Sequence, residues 1–530
     1  MFDESLARTV HGPVRGRVRE DGVHVFKGIR YGADTRGHRF EPPRPPAGWT
    51  DVANAWEFGP TCPQDDPDVR FDRAQFPFLQ MIGLTDNLPE SEDCLFLNVW
   101  TPATRDGGQR PVMVWVHSGG YATNSGSSPS IDGAKLAAEG DVVVVTFNHR
   151  LNVFGYLHLG DHLGDDPDHP CARSGNAGML DVVQVLQWVR DNAAEFGGDP
   201  GNVTVFGQSG GAMKISTLLG MPAARGLFHR AILSSGATPR VQTTAQAAVA
   251  AKELFAAAGT SDVEGLRELS TQDLLRAGRS VSARRGLTAF GAVADGVVVP
   301  DDPFEPRPSA VSFDVPVLVG DLDTEVALFT SVGSPDLPSL TEQGLAQRLA
   351  PLGEAAAGVV DAVRVSHPGA SPYEVFLRIA SGLVFTANAE RLADRAASRA
   401  ADGGAPAWRY RITWRTPVGD FLSPHEVDVA LVFGNVDAAA GLNGGGADAH
   451  RLSELLRATW VAFARTGSPQ NPLLPEWPAY ASAERPVLAF GPEPRVVPDL
   501  DGPELRALRP LVDHPPVDSD WLNVLLFSNR

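Results

Sequence analysis

The sequence predicts an α/β protein, a mostly parallel central sheet with helices on both faces, and three observations carry that reading. The runs 112–116 and 141–147 are short and almost wholly apolar, as expected of strands covered on both sides. Between 176 and 196 the apolar residues Leu180, Val183, Leu186, Val189, Ala193 and Phe196 recur at steps of three and four, an amphipathic helix that stops at Gly197-Gly198. A further apolar strand follows at 203–206. Strand, helix and strand in this order make a βαβ unit, which requires parallel strands.

Taken in order, the chain opens with a hairpin at 14–26, interrupted by Gly16 and Gly22, then a proline-rich loop at 42–46. A strand at 95–99 closes at Thr101-Pro102. The 112–116 strand runs into His117-Ser118-Gly119-Gly120-Tyr121. Two adjacent glycines past a central strand can aim backbone N–H groups at one point, as an oxyanion hole requires, although a plain glycine turn reads the same way. The 203–206 strand leads into Gly207-Gln208-Ser209-Gly210-Gly211 and a helix at 212–219. In a chain with 54 glycines a G-x-S-x-G string arises by chance, so its context carries the claim. Strand, tight turn and helix is the setting of a nucleophile elbow, with Ser209 in strained backbone geometry and flanking glycines that let neighbouring chain pass close. Later strands are expected at 231–233, 315–319 and 408–414, a helix at 452–463, and a loop in the Gly/Ala-rich stretch 438–449.

At 530 residues and 43% hydrophobic, the chain can bury a large core. Without a linker, a repeat or a low-complexity block, residues 1–530 read as a single domain. The net charge of -19 and pI near 5.1 argue against nucleic-acid and anionic-membrane partners, which demand basic patches. Residues 1–5 lack the basic flank and apolar core of a signal peptide, which makes a cytoplasmic location the expectation. No apolar run approaches the roughly 20 residues of a membrane span. Cys62, Cys94 and Cys171 lack metal-ligand spacing; Cys62 and Cys94 read either as buried thiols or as a bridge.

A nucleophile elbow calls for an acid and then a histidine later in the chain. His229 precedes its strand and sits at the wrong sheet edge; His367 and His450 fall in Pro/Gly/Ala loops and His514 in a proline-rich tail. His425 follows a strand and the turn 416–424, at the carboxyl edge where ligands gather. Asp321, Asp323 and Glu325 all follow the 315–319 strand, and position does not separate them.

With these pieces in place the chain resembles the type-B carboxylesterase family, the α/β-hydrolase branch that includes cholinesterases and bacterial para-nitrobenzyl esterases. The resemblance runs from Phe26-Lys27-Gly28-Ile29 to Trp477-Pro478-Ala479-Tyr480. Its most specific parts are Ser91-Glu92-Asp93-Cys94-Leu95-Phe96-Leu97-Asn98-Val99-Trp100, and Phe196-Gly197-Gly198-Asp199-Pro200 with Asn202-Val203-Thr204. The resemblance implies an α/β-hydrolase fold with large loop and helical excursions over the active site. It implies a nucleophile at Ser209, an acid at Glu325, a histidine at His425, and oxyanion donors at the N–H groups of Gly119, Gly120 and Gly210. Cys62 and Cys94 match a pair often bridged in the family, a bond that a reducing cytoplasm opposes.

The chain departs from the family pattern at four places. Gln208 replaces the usual Glu before the nucleophile, Ser118 the first glycine of the usual triple, and Thr324 an Asp before the acid. Leu84 stands where cholinesterases carry a Trp, which removes their cation–π platform. The implied activity is hydrolysis of neutral carboxylic esters through an acyl-enzyme, without metal or organic cofactor, on a small-molecule ester substrate. Carbamate or amide hydrolysis by the same triad is the alternative, and a non-catalytic binding module is the reading from another class.

Overall fold

The computed structural model describes residues 4–513 apart from 67, 69–76, 165, 167, 287, 334–335 and 501, so His514 lies outside the described residues. Among the described residues thirteen strands share one sheet. In chain order they are β1 (Glu4–Thr9), β2 (Gly12–Val18), β3 (His24–Arg30), β4 (Ala53–Asn54), β5 (Phe96–Thr101), β6 (Arg110–Val116) and β7 (Val143–Phe147). There follow β8 (Gly198–Gln208), β9 (Arg230–Ser234), β10 (Val317–Leu322), β11 (Ala407–Ile412), β12 (Pro486–Phe490) and β13 (Arg495–Pro498). Across the sheet the order is β1-β2-β3-β5-β7-β6-β8-β9-β10-β11-β12-β13, with β4 on β2. The stretch from β7 to β12 is parallel throughout. The flanks are antiparallel except for the short β4, which pairs parallel with β2.

The expected βαβ unit holds in direction but not in adjacency. Helix α1 (Ala177–Asn192) joins β7 to β8, yet β6 lies between them and pairs with both. A strand as apolar as β6 is most stable where two neighbours and two helical layers cover it. The other expected strands form within a few residues of their predicted ends. One shift matters for chemistry, because β10 runs on to Leu322 and takes Asp321 into the strand.

Alternation along each strand divides the interior into two cores. Val112, Val114, Val116, Val203 and Val205 face one way, against Val182, Val185 and Val189 of α1 and Ile215 and Leu218 of α2 (Gly210–Leu218). Met113, Trp115, Phe206, Ile232 and Leu318 face the other, against Phe433, Leu456, Trp460 and Phe463. Each such side chain, fully buried, contributes about 1.5–3 kcal/mol. Helices therefore cover both faces, as predicted. A third cluster joins helices Glu342–Arg348, Ala355–Ser366, α3 (Pro372–Ser381) and Gly502–Asp513 to Val326 and Ala327, beside Glu325. It is the helical excursion over this end of the sheet. A π-helical turn, Gly382–Thr386, links α3 to α4 (Ala387–Ala401).

The stretch 438–449 is not a plain loop. Ala440–Asn443 forms a short helix, Gly444 (φ 79°) and Gly445 (φ 63°) break it, and the alanines from 447 open a long helix, Ala447–Thr466. His450 therefore sits on a helix. Cys62 and Cys94 are buried and unbridged, and burial followed by the hydrogen bond between them raises the Cys62 thiol well above its usual range.

The carboxyl end of β7 is tied to α1 by a buried ion pair. Arg150 Nη2 and Nε reach Asp181 at 2.6 and 2.9 Å, and Asp181 also accepts the Arg150 backbone N–H at 2.9 Å. With both side chains buried, removing one charge strands the other. Asp181→Asn is expected to lower unfolding free energy by about 3–5 kcal/mol, read by urea denaturation, whereas an exposed pair such as Arg36 with Asp34 is worth about 0–1 kcal/mol.

Candidate active site

β6, β8, β10 and β11 all end at the same edge of the sheet, and the expected site residues leave from those ends. Ser209 follows β8 with φ 53° and ψ -122°, a backbone state that side chains rarely adopt. It is held there by its own N–H, which donates to Ser234 O at the end of β9 (2.8 Å), and by its carbonyl, which accepts from Met213 N (3.0 Å). The turn is tight because a β-carbon on Gly211 would enter the van der Waals shell of the Val116 carbonyl. One on Gly210 would meet the backbone of Gly120. Two of the three expected oxyanion donors, Gly120 and Gly210, are thus in direct contact, and Gly119 adjoins them. Gly119 and Gly120 adopt φ of 87° and 62°, which suits glycine.

The three carboxylates after the 315–319 stretch have different partners. Asp321 pairs with Arg409, with Arg411 (3.0 Å) and with the Thr386 hydroxyl (2.7 Å). Asp323 is held bidentately by Arg378 at 2.8 and 2.6 Å. Burial alone would raise its pKa, but the Arg378 charge and hydrogen bonds outweigh burial and hold it below the usual range. Only Glu325 faces the histidine: its Oε2 accepts from His425 Nδ1 at 2.6 Å, and its Oε1 from Leu322 N at 2.8 Å. The loops carrying them are zipped together, His425 N to Glu325 O at 3.1 Å and Ser423 N to Thr324 Oγ1 at 2.8 Å. Thr324, a departure from the family pattern, thus anchors the histidine loop.

Since a carboxylate only accepts, Nδ1 of His425 carries the hydrogen and Nε2 the lone pair. Nε2 takes a hydrogen bond from the Gln208 amide at 3.1 Å, while the side chain of Ser209 is half-buried. Burial by itself lowers the His425 pKa, but the Glu325 charge and hydrogen bond raise it above the ordinary value. Phe329 and Phe385 flank the imidazole, with ring centres 5.0 and 4.9 Å away, and Phe385 is aimed by the π-helical turn.

Several groups at this site were not read from the sequence. Glu426 (φ 70°) turns its carboxylate to the Ser118 hydroxyl, which Asn124 Nδ2 also reaches at 3.0 Å. Asp428 accepts from the Ser234 hydroxyl, and burial, followed by the neighbouring Glu325 and Glu426 charges, pushes it up to about 7. Lys214 is buried below the Gly119-Gly120 turn. The signal for Asp428 is its place in His425-Glu426-Val427-Asp428. Nothing in the sequence separates Lys214 from a solvated helix lysine. Among the described residues no group of three or more His, Cys, Asp or Glu is placed to hold a metal ion, and no helix is long and apolar enough to cross a membrane.

This elbow, on the carboxyl edge of a parallel sheet with helices on both faces, belongs to an α/β-hydrolase. The sequence pattern of the carboxylesterase family matches residues 3–506, and the chain belongs to that family, whose members hydrolyse carboxylic esters. It is 34% identical over 518 residues to the para-nitrobenzyl esterase of Bacillus subtilis, covering 95% of this chain and 98% of that protein. It is 33% identical to the phenmedipham hydrolase of Pseudarthrobacter oxydans, covering 96% and 100%. A crystal structure of a Geobacillus stearothermophilus carboxylesterase superposes with a TM-score of 0.80 at 35% identity, covering 95% of this chain and 99% of that one.

The division of the carboxylates makes a ranking. Glu325→Gln is expected to lower kcat by roughly a thousandfold or more, the scale on which a triad loses activity when its acid becomes an amide. Asp323→Asn is expected to leave kcat within a few-fold and to lower the melting temperature, because it removes the bidentate partner of the buried Arg378 and leaves it only Glu374 at 3.1 Å. The pH profile follows from the raised His425 pKa: a base works only when neutral, so kcat/KM is lost as pH falls through a value above 6.5. Removing the Glu325 charge moves that limb to lower pH. Steady-state kinetics from pH 5 to 9 on the folded variants decide each point.

Proposed function

We propose that Ser209, His425 and Glu325 act as the triad of a serine esterase working on neutral carboxylic esters, within a single domain spanning the chain. The observation that carries this reading is the state of His425. Its Nδ1 is tied to a buried carboxylate, and its Nε2 lone pair points at the residue adjoining the strained serine. In the proposed cycle Ser209 Oγ attacks the ester carbonyl and His425 Nε2 takes its proton. To reach it, the serine displaces or shares the Gln208 hydrogen bond. Glu325 holds the tautomer and stabilises the imidazolium. The N–H groups of Gly119, Gly120 and Gly210 receive the oxyanion, each such donor worth about 3–4 kcal/mol in the transition state. His425 protonates the departing alcohol, and a water repeats the steps on the acyl-enzyme.

The test is Ser209→Ala with an activated ester such as a para-nitrophenyl ester. The wild type is expected to release a burst of alcohol and to gain the acyl mass on the peptide that holds Ser209. Folded Ser209→Ala is expected to show neither, with kcat down by several orders of magnitude. Near-normal turnover by that variant removes Ser209 as nucleophile.

The preference for neutral esters rests on two side chains. Gln208 puts an amide where a carboxylate would attract a cation, and Leu84 is a small core residue where an aromatic face would be needed. Cation–π contact of about 0.5–2 kcal/mol is therefore missing at that position. Phe329 and Phe385 are committed to the imidazole. The net charge of -19 steers cations only over a Debye length of roughly 8–10 Å. Ethyl or phenyl butyrate is expected to exceed butyrylcholine in kcat/KM at physiological ionic strength. A choline ester turned over equally well requires a cation site built from other residues.

A further inference from the structure

Helix α2, which begins at the nucleophile, buries a charge for which its packing gives no reason. Lys214 is 0% exposed, on a helix whose Ala212, Ile215 and Leu218 belong to the apolar core. Among the described residues no carboxylate pairs with it. Its Nζ donates to Gly120 O at 2.7 Å and lies 3.4 Å from His117 O. The face of Tyr121 lies 5.5 Å away. Next to it His117 and His149 stack at 4.7 Å; burial first and then the lysine charge lower both, His117 to about 3, so neither competes for the proton. A lone buried ammonium weakens a fold, and burial alone brings Lys214 down to about 7. Groups retained against stability mark function.

We propose that Lys214 is a positioning residue of the oxyanion hole: its amine holds the Gly120 carbonyl against the first turn of α2, which keeps the Gly119 and Gly120 N–H groups aimed at the substrate oxygen. Two successive glycines in the left-handed region resist rotation poorly, because no β-carbon restricts them. A carbonyl buried without a donor would turn to find one, and it would carry the neighbouring N–H out of aim. Among the described residues Lys214 is the donor that Gly120 O has. It stands one turn after Gly210 on the same helix face, so one short helix presents the nucleophile, one oxyanion donor and the brace for the other two. Charged or neutral, the amine keeps at least two N–H groups for the two carbonyls.

The inference rests on the proposed roles of Ser209 and the glycines, and the experiment separates the two. Lys214→Met keeps the length and removes the donor, and since it also removes an unpaired buried charge it is expected to fold with an equal or higher melting temperature. Active sites are counted by titration with an activated ester, and kcat and KM are measured per titrated site. Affinity for a trifluoromethyl ketone, which forms an oxyanion on Ser209, is measured alongside. Expected are a kcat lower by about 10- to 100-fold, against the 100- to 1000-fold typical of deleting one oxyanion donor outright. KM is expected to stay within about threefold, and ketone affinity to fall by the same factor as kcat. A folded Lys214→Met with wild-type kcat overturns the proposal. So does a loss confined to KM, or a variant that cannot fold, which would make the lysine a scaffold residue. Ser209→Ala run in parallel tests the site itself: if it still gives a burst, the triad reading fails, whatever Lys214→Met does.

Discussion

The contact on which this site depends is between two stretches of backbone, the chain leaving β6 and the first turn of α2. Parallel pairing brings Val116 alongside Gly207, and the next residues on each side must pass within van der Waals distance. Glycine at 210 and 211 is the condition for that approach. Once it is met, Ser209 stands at a strained corner beside N–H groups from both strands' ends, and the strain is offset by bonds to Ser234 and Met213. Strand register and donor geometry at this edge are therefore one constraint.

The second organising effect is electrostatic sorting. Asp321, Asp323 and Glu325 lie two residues apart where one strand ends at Leu322, so alternation by itself would not part them and their partners do. Arg409 and Arg411 from β11 and Arg378 from α3 neutralise the first two. Glu325 is left to His425, a hundred residues away in the chain, and the bond between them raises the basicity of the imidazole. The arginines thus keep two negative charges away from His425, and the helical excursion supplies one of them, Arg378.

The family departures are explained at the same level. Thr324 bonds the histidine loop through Ser423, Ser118 joins the glycine turn to Glu426, and Gln208 places an amide on the His425 Nε2 lone pair. Each substitutes a neutral hydrogen-bonding group where the family pattern has a charged or minimal side chain. The negative charge near the base is carried instead by Glu325, with Glu426 and Asp428 both pushed toward their neutral forms by burial.

Periodicity and local stereochemistry were enough to determine the fold class, the parallel strands and the elbow. Patterns such as 112–116, 176–196 and Gly207 to Gly211 record constraints that act within a few residues. His425 was legible for the same reason, since a turn after a late strand places it at the sheet edge. Position did not separate Asp321, Asp323 and Glu325, and only the family resemblance pointed to Glu325, because they differ in the distant partner each meets, arginines for the first two and His425 for the third. That β6 separates β7 from β8 was also hidden, since two strands joined by a helix need not be neighbours in the sheet. Lys214 escaped for a related reason. Its burial depends on how α2 lies against the Gly119-Gly120 turn, and no property of residues 210–218 alone reports that contact. What lay within one element was decided by sequence, and what lay between elements only by the tertiary structure, because burial and pairing are properties of the neighbours a side chain is given.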